Sequence, residues 1–205
     1  MLNQEKLHES LKLYKAVFDE RWHDEKYKWE AVKCFQDNWD INADDFAAML
    51  LRATDKTLNL LASMNNFPRK MIVEYAKQDK ETVRAMFLSL FDESKSVADR
   101  VVKFQQEAQD ICDRLTPGLQ YYQRPMAITV YLWLRFPDKY DVFKYSICKG
   151  ASEYLGNDFM PKKGNTVHNI SGNMKLIDEL VSAVNQDKEL IEMYDEKRDG
   201  NCYKD

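Results

Sequence analysis

This sequence predicts an α+β fold, predominantly α: a helical bundle of about five to six helices followed by a β-hairpin with short flanking helices. Three observations carry that expectation. Apolar residues recur at helical spacing from Leu7 to Leu115. The 205 residues hold only 6 Gly and 5 Pro, too few for the many tight turns of an all-β design. Between residues 126 and 145, two β-branched and aromatic runs flank a Pro137-Asp138-Lys139 break, which is the pattern of a hairpin.

The first helix carries Leu7, Leu11, Tyr14 and Phe18, and the second Trp29, Val32, Phe35 and Trp39, with a charged junction between them. A third opens near Asn42, expected as its N-cap with Asp44 and Asp45 in the first turn, and runs past Phe46, Met49 and Leu50 to Leu61. Capping accounts for those two carboxylates, since adjacent helical residues point about 100° apart and do not form a catalytic pair. Pro68 starts the fourth helix, Asp79 with Glu81 the fifth, and a sixth from about Glu93 to Leu115 buries Val97, Val101, Phe104, Ala108 and Ile111.

Thr116-Pro117-Gly118 ends the helical run and divides a helical subdomain, residues 1–118, from a small α+β subdomain, residues 119–205, the two packed as one unit. In the second part Ile128, Val130, Leu132 and Leu134 alternate with Thr129, Tyr131, Trp133 and Arg135. Read as a strand, this puts an aliphatic face on the helices and an aromatic, basic face outward. A return strand through Tyr140 to Tyr145, a short helix from about Ser146 to Leu155, a loop through Pro161 to Asn165 and a last amphipathic segment complete the chain.

A net charge of −4 and a pI near 5.5 exclude a protein that coats nucleic acid by bulk positive charge. The charge is unevenly placed, however. Residues 121–164 carry seven Lys and Arg against four Asp and Glu, so that this segment is +3 and the remainder −7. Residues 121–159 also hold ten of the 25 aromatic side chains. The four cysteines and three histidines are scattered without metal-ligand spacing, so no metal and no cofactor is expected. With no apolar run approaching the roughly 18 residues of a membrane span, and thiols expected to be reduced, the sequence reads as cytoplasmic.

Catalytic motifs fail on geometry. Asp138, Asp141 and Lys144 suggest a PD-(D/E)xK nuclease, but Asp138 falls in the turn and Asp141 and Lys144 are three apart rather than two, on opposite faces of a strand. No glycine is followed by the Lys-Ser/Thr of a phosphate-binding loop, and Cys148 has no His or Asn partner that could activate it. Binding is the better expectation. Aromatic rings that stack on bases, beside Lys and Arg that meet phosphate, give Tyr131, Trp133, Arg135, Lys139, Tyr140, Lys144, Tyr145, Lys149, Lys162 and Lys163 as the candidate DNA-contacting set.

Several segments resemble a known family. Tyr27-Lys28-Trp29-Glu30-Ala31-Val32, Phe35-Gln36-Asp37-Asn38-Trp39-Asp40, Asp45-Phe46-Ala47-Ala48-Met49-Leu50, Pro68-Arg69-Lys70-Met71-Ile72 and Leu132-Trp133-Leu134-Arg135-Phe136-Pro137-Asp138-Lys139-Tyr140 with Phe143-Lys144-Tyr145 look like the region preceding the AAA+ motor in McrB-like proteins of modification-dependent restriction systems. The resemblance runs from about Tyr27 to the end of the chain. It implies a non-enzymatic N-terminal recognition module in anti-phage defence that binds DNA, often at a modified cytosine flipped into an aromatic pocket. An AAA+ GTPase module, absent from this chain, and a nuclease subunit would be its partners. The alternative, drawn from the acidic helical remainder, is a protein-interaction or sensor module that docks a partner subunit or a phage product.

Overall fold

The computed structural model describes residues 2–204, and among these it contains eleven α-helices, a single 3-10 helix and no strand. The chain begins with α1 (Gln4–Ala16), α2 (Phe18–Glu25) and α3 (Tyr27–Asn38). Asn3 caps α1 by accepting from the Lys6 amide. The third predicted helix is shorter than its apolar spacing implies: α4 (Phe46–Ala53) is followed by a 3-10 turn (Asp55–Leu60) with Leu58 at φ 38°. Its N-cap is Asp45, which accepts from Ala48 N at 2.9 Å, rather than Asn42. Asp40 spends its carboxylate on Asn42 N, forming a turn where the helix was expected to start.

Next come α5 (Pro68–Gln78) with proline at its first position, α6 (Lys80–Leu90) capped by Asp79, and α7 (Val97–Leu115) capped by Ser96. They are followed by α8 (Pro125–Arg135), α9 (Tyr145–Leu155), α10 (Thr166–Gln186) and α11 (Lys188–Lys197).

The expected β-hairpin is therefore absent, and the fold is all-helical rather than α+β. Residues read as the first strand form α8, and those read as the return strand form an extended link that leads into α9. The physical reason lies in how α8 is used. Ala127, Ile128, Thr129, Val130, Tyr131, Leu132 and Leu134 are all buried and Trp133 is half-buried, so the helix is covered on nearly every side. A wholly apolar run fits a period of 2 and a period of 3.6 equally well, and surrounding helices override the β propensity of Ile, Thr, Val and Tyr.

Pro125 at the first helical position, behind an extended Arg124, is the local feature that sets the helix start. Its far end is closed by Gln36 of α3, whose Nε2 donates to the otherwise orphaned carbonyls of Leu134 at 2.5 Å and Arg135 at 3.0 Å. What stands in for strand pairing is one side chain: Thr129 Oγ1 accepts from Phe143 N at 3.0 Å and draws the link back onto α8.

Around α8 the other helices form one apolar core. α3 and α7 pack against it, α4, α5 and α6 close the bundle, and α10 lies along α7. Phe35, Phe46, Phe87, Phe104 and Tyr131 are fully buried, and Phe87 meets both Phe104 and Tyr131 edge-on at 5.3 and 5.2 Å. Each fully buried large apolar side chain here contributes about 1.5–3 kcal/mol. A second, smaller cluster ties the two ends of the chain together: Phe18 and Trp22 of α2 pack on Leu190 and Tyr194 of α11, and Tyr14 Oη meets Tyr194 Oη at 2.7 Å.

Candidate functional site

Two adjoining hollows, of about 660 and 400 Å³, form a groove between α7, the segment leading into α8, the link ahead of α9 and the loop ahead of α10. They share Gln105, Lys163, Gly164 and Thr166. Arg124, Lys144 and Lys163 line the groove, Lys162 adjoins it, and no carboxylate belongs to either lining. None of these four cations makes an ion pair among the described residues, although Lys and Arg elsewhere commonly do. The first turn of the 21-residue α10 opens on the larger hollow and adds the positive end of a helix dipole.

No counter-charge positions these cations; the backbone around them and, for Arg124, the Tyr121 ring do so. Arg124 follows a short segment of unusual geometry: Tyr122 sits at φ 55°, Gln123 N donates to Tyr121 O at 2.7 Å and Arg124 N to Tyr122 O at 2.8 Å. The buried Gln123 anchors this segment, donating to Pro68 O at 2.8 Å and accepting from the Tyr131 hydroxyl at 3.0 Å. The Arg124 guanidinium then lies 4.7 Å from the Tyr121 ring centre and donates to its hydroxyl at 3.1 Å, a hydroxyl that also accepts from Gln105. Lys144 is the N-cap residue of α9, directly after the buried Phe143.

The loop bearing Lys162 and Lys163 is fastened to α10 at several points. Asn169, itself buried, brackets the backbone of Lys162, accepting from its N–H at 2.7 Å and donating to its C=O at 2.8 Å. His168 Nε2 lies 2.9 Å from Met160 O, Tyr145 Oη donates to Pro161 O at 3.4 Å, and Asn165 caps α10 through His168 N. Phe159 packs directly on Gly172, where a Cβ would come within 1.9–2.4 Å of the ring.

The structure thus brings three of the predicted site residues, Lys144, Tyr145 and Lys163, into one groove, with Lys162 adjoining it, and places six elsewhere. Tyr131 is wholly buried, its hydroxyl bound to Gln123 and its ionisation pushed far up by desolvation. Tyr140 is buried under Arg100, whose Nη2 donates to its hydroxyl at 2.5 Å; that hydroxyl donates in turn to Glu93 at 2.9 Å. Lys139 pairs with the same Glu93, and the Lys139 ammonium and Tyr140 hydroxyl together hold the Glu93 carboxyl below its usual range. Lys149 pairs with Glu153 along α9, and the Arg135 guanidinium lies over Phe136.

Trp133 lines a separate hollow of about 290 Å³ with Trp29, Asp138 and Tyr203, where the Tyr203 hydroxyl donates to Asp138 at 3.0 Å. Asp205, within the terminal stretch of the McrB-like resemblance, lies outside the described residues. The nuclease-like set does not assemble: Asp138 is in the turn after α8, Asp141 in the link and Lys144 at the groove, and no three His, Cys, Asp or Glu among the described residues gather as a metal site.

Sequence reasoning passed over Arg124, Gln105 and Asn169. Arg124 had a signal, since a basic residue immediately before a proline at a helix start becomes a fixed N-cap position. The glutamines at 105, 106 and 109 had only an amide-rich polar face on α7 to mark them. Compared with protein-family models, curated proteins and solved structures, the chain finds no match. The McrB-like reading therefore rests on the quoted segments alone. Among the described residues no helix is long and apolar enough to cross a membrane.

Proposed function

We propose that this chain is a non-enzymatic recognition module that binds DNA through the groove at Arg124, Lys144 and Lys163, the role that its McrB-like segments imply in a restriction or anti-phage defence protein. The observation that carries the proposal is a groove lined by three unpaired cations and no carboxylate, in a chain whose net charge is −4. These cations are solvent-exposed and face no counter-charge in the groove, so a phosphate that enters it meets several charge-assisted donors at once. The apolar wall of the smaller hollow, Pro125, Met126, Phe143 and Tyr145, offers a surface for more than phosphate.

The test is fluorescence anisotropy on labelled DNA, methylated and unmodified, single-stranded and duplex, titrated with salt from about 50 to 200 mM. Binding that weakens with salt, and that is lost in a Lys144→Glu/Lys163→Glu double variant that folds normally, is the expected result. No binding to any of these at low salt would overturn the proposal in favour of a module that docks a protein partner.

A further inference from the structure

Resting on the DNA-binding reading, we infer that the strand this groove takes is unpaired, with one base seated in the smaller hollow and its phosphates on Arg124, Lys144 and Lys163. The argument begins with the electrostatics. Duplex recognition through the backbone typically uses about 6–10 phosphate contacts, and their counterion release supplies the affinity. This groove offers three lining cations with Lys162 beside them, and the −7 balance of the chain outside residues 121–164 opposes any wider backbone contact. Charge alone is too little to hold a duplex, so the remaining attraction has to come from the bases themselves.

The shape supplies it. The cations stand around a concave hollow of about 400 Å³ whose wall is Pro125, Met126, Phe143 and Tyr145, a volume on the order of one nucleotide. A base in a duplex reaches such a wall only by flipping out of the stack, at a cost of a few kcal/mol, whereas an unpaired base reaches it without that cost. Stacking of one base on a protein ring raises affinity by about five- to 150-fold, which compensates for the missing phosphate contacts.

The adjoining hollow continues the track with different chemistry. Gln106 and Gln109 donate their amide N–H groups to Asp110 at 2.8 Å and Asp113 at 2.7 Å. Their carbonyl oxygens are left as acceptors, suited to the exposed amino edge of a neighbouring unpaired base. These two aspartates, in hydrogen-bond contact with the glutamines, repel phosphate from that end and so set the polarity: backbone at the Arg124 end, base edges at the glutamine end.

The experiment compares one 12-nucleotide DNA sequence as a single strand and as a blunt duplex, by anisotropy at about 50 mM salt. The single strand is expected to bind at least tenfold more tightly, with a log–log salt slope near −2, about 0.7 for each of three cations. Tyr145→Ala is expected to weaken the single strand by about five- to tenfold and to leave residual duplex binding unchanged; Met126→Ala, which thins the same wall without adding charge and leaves the Tyr145 tether in place, weakens the single strand selectively in the same way if Tyr145→Ala proves unstable by circular dichroism. Equal or tighter binding of the duplex would overturn the unpaired-strand inference while leaving DNA binding standing. Failure of both forms to bind would overturn both.

Discussion

Two arginines in this molecule make the same contact and serve opposite ends. Arg100 and Arg124 each lie over a tyrosine ring, at 5.2 and 4.7 Å, and each donates to that ring's hydroxyl. The Arg100 pair is buried and terminated: its second donor goes to Leu90 O at 2.7 Å, and Tyr140 hands the hydrogen-bond chain on to Glu93, which Lys139 also neutralises. The Arg124 pair ends on amides and water-facing cations, with Gln105 in the position where a carboxylate would close it. An Arg–Tyr pair closed by an acid is a strut. Left open beside two more lysines, it has the form that the proposed DNA-binding role needs.

The largest way to break the comparison is Tyr140→Phe. Arg100 Nε already has no partner, and the lost hydroxyl would strand a second buried donor, so unfolding in urea should show a loss of about 2 to 3 kcal/mol with DNA affinity unchanged. Closing the open site should do the reverse. Gln105→Glu places a carboxylate between Tyr121 and the groove cations and is expected to weaken DNA binding about tenfold, or roughly 1.4 kcal/mol, without moving the urea midpoint.

The link between the two regions carries the pH test. Burial, with the charge of Asp178 added, raises the Asp141 carboxyl to about 6. Because the folded protein holds that proton more tightly than the unfolded chain, stability from this group is present at about pH 4 and is lost as pH rises to about 6. Asp141→Asn should therefore stabilise at pH 7.5 by about 1 kcal/mol, allowing for partial exposure, and should give no gain at pH 4. The smallest effect belongs to Arg124→Ala: stability within about 0.5 kcal/mol of the parent, and a salt slope shallower by about 0.7.

How far the sequence discloses this arrangement depends on what decides each element. α7, α9 and the α10–α11 stretch announce themselves because one face is polar, so their period is readable; the breaks are less so, since the sixth helix is expected from about Glu93 where Ser96 caps it, and the last segment is expected to run through Asp187, which instead caps a separate α11. α8 is silent because burial on all sides erases the period; the pleat reading turns Tyr131 outward and the aromatic count makes Tyr140 a site candidate, whereas both face the core. Lys144, Tyr145, Lys162 and Lys163 were legible as a basic, aromatic stretch. That they meet Arg124 and Gln105 was not, since a buried helix and a loop return bring together residues nearly 60 positions apart.

The bracket that Asn169 puts around Lys162 carries a kinetic consequence. A buried amide side chain that satisfies both the N–H and the C=O of one loop residue acts as a single-residue β-bridge, so the Lys162 amide should exchange with deuterium as slowly as helical amides rather than as a surface loop does. A lysine loop already held in place before its ligand arrives has little order left to lose on encounter. Its contribution should appear in the dissociation rate, and Asn169→Ala should shorten the lifetime of the complex more than it slows its formation.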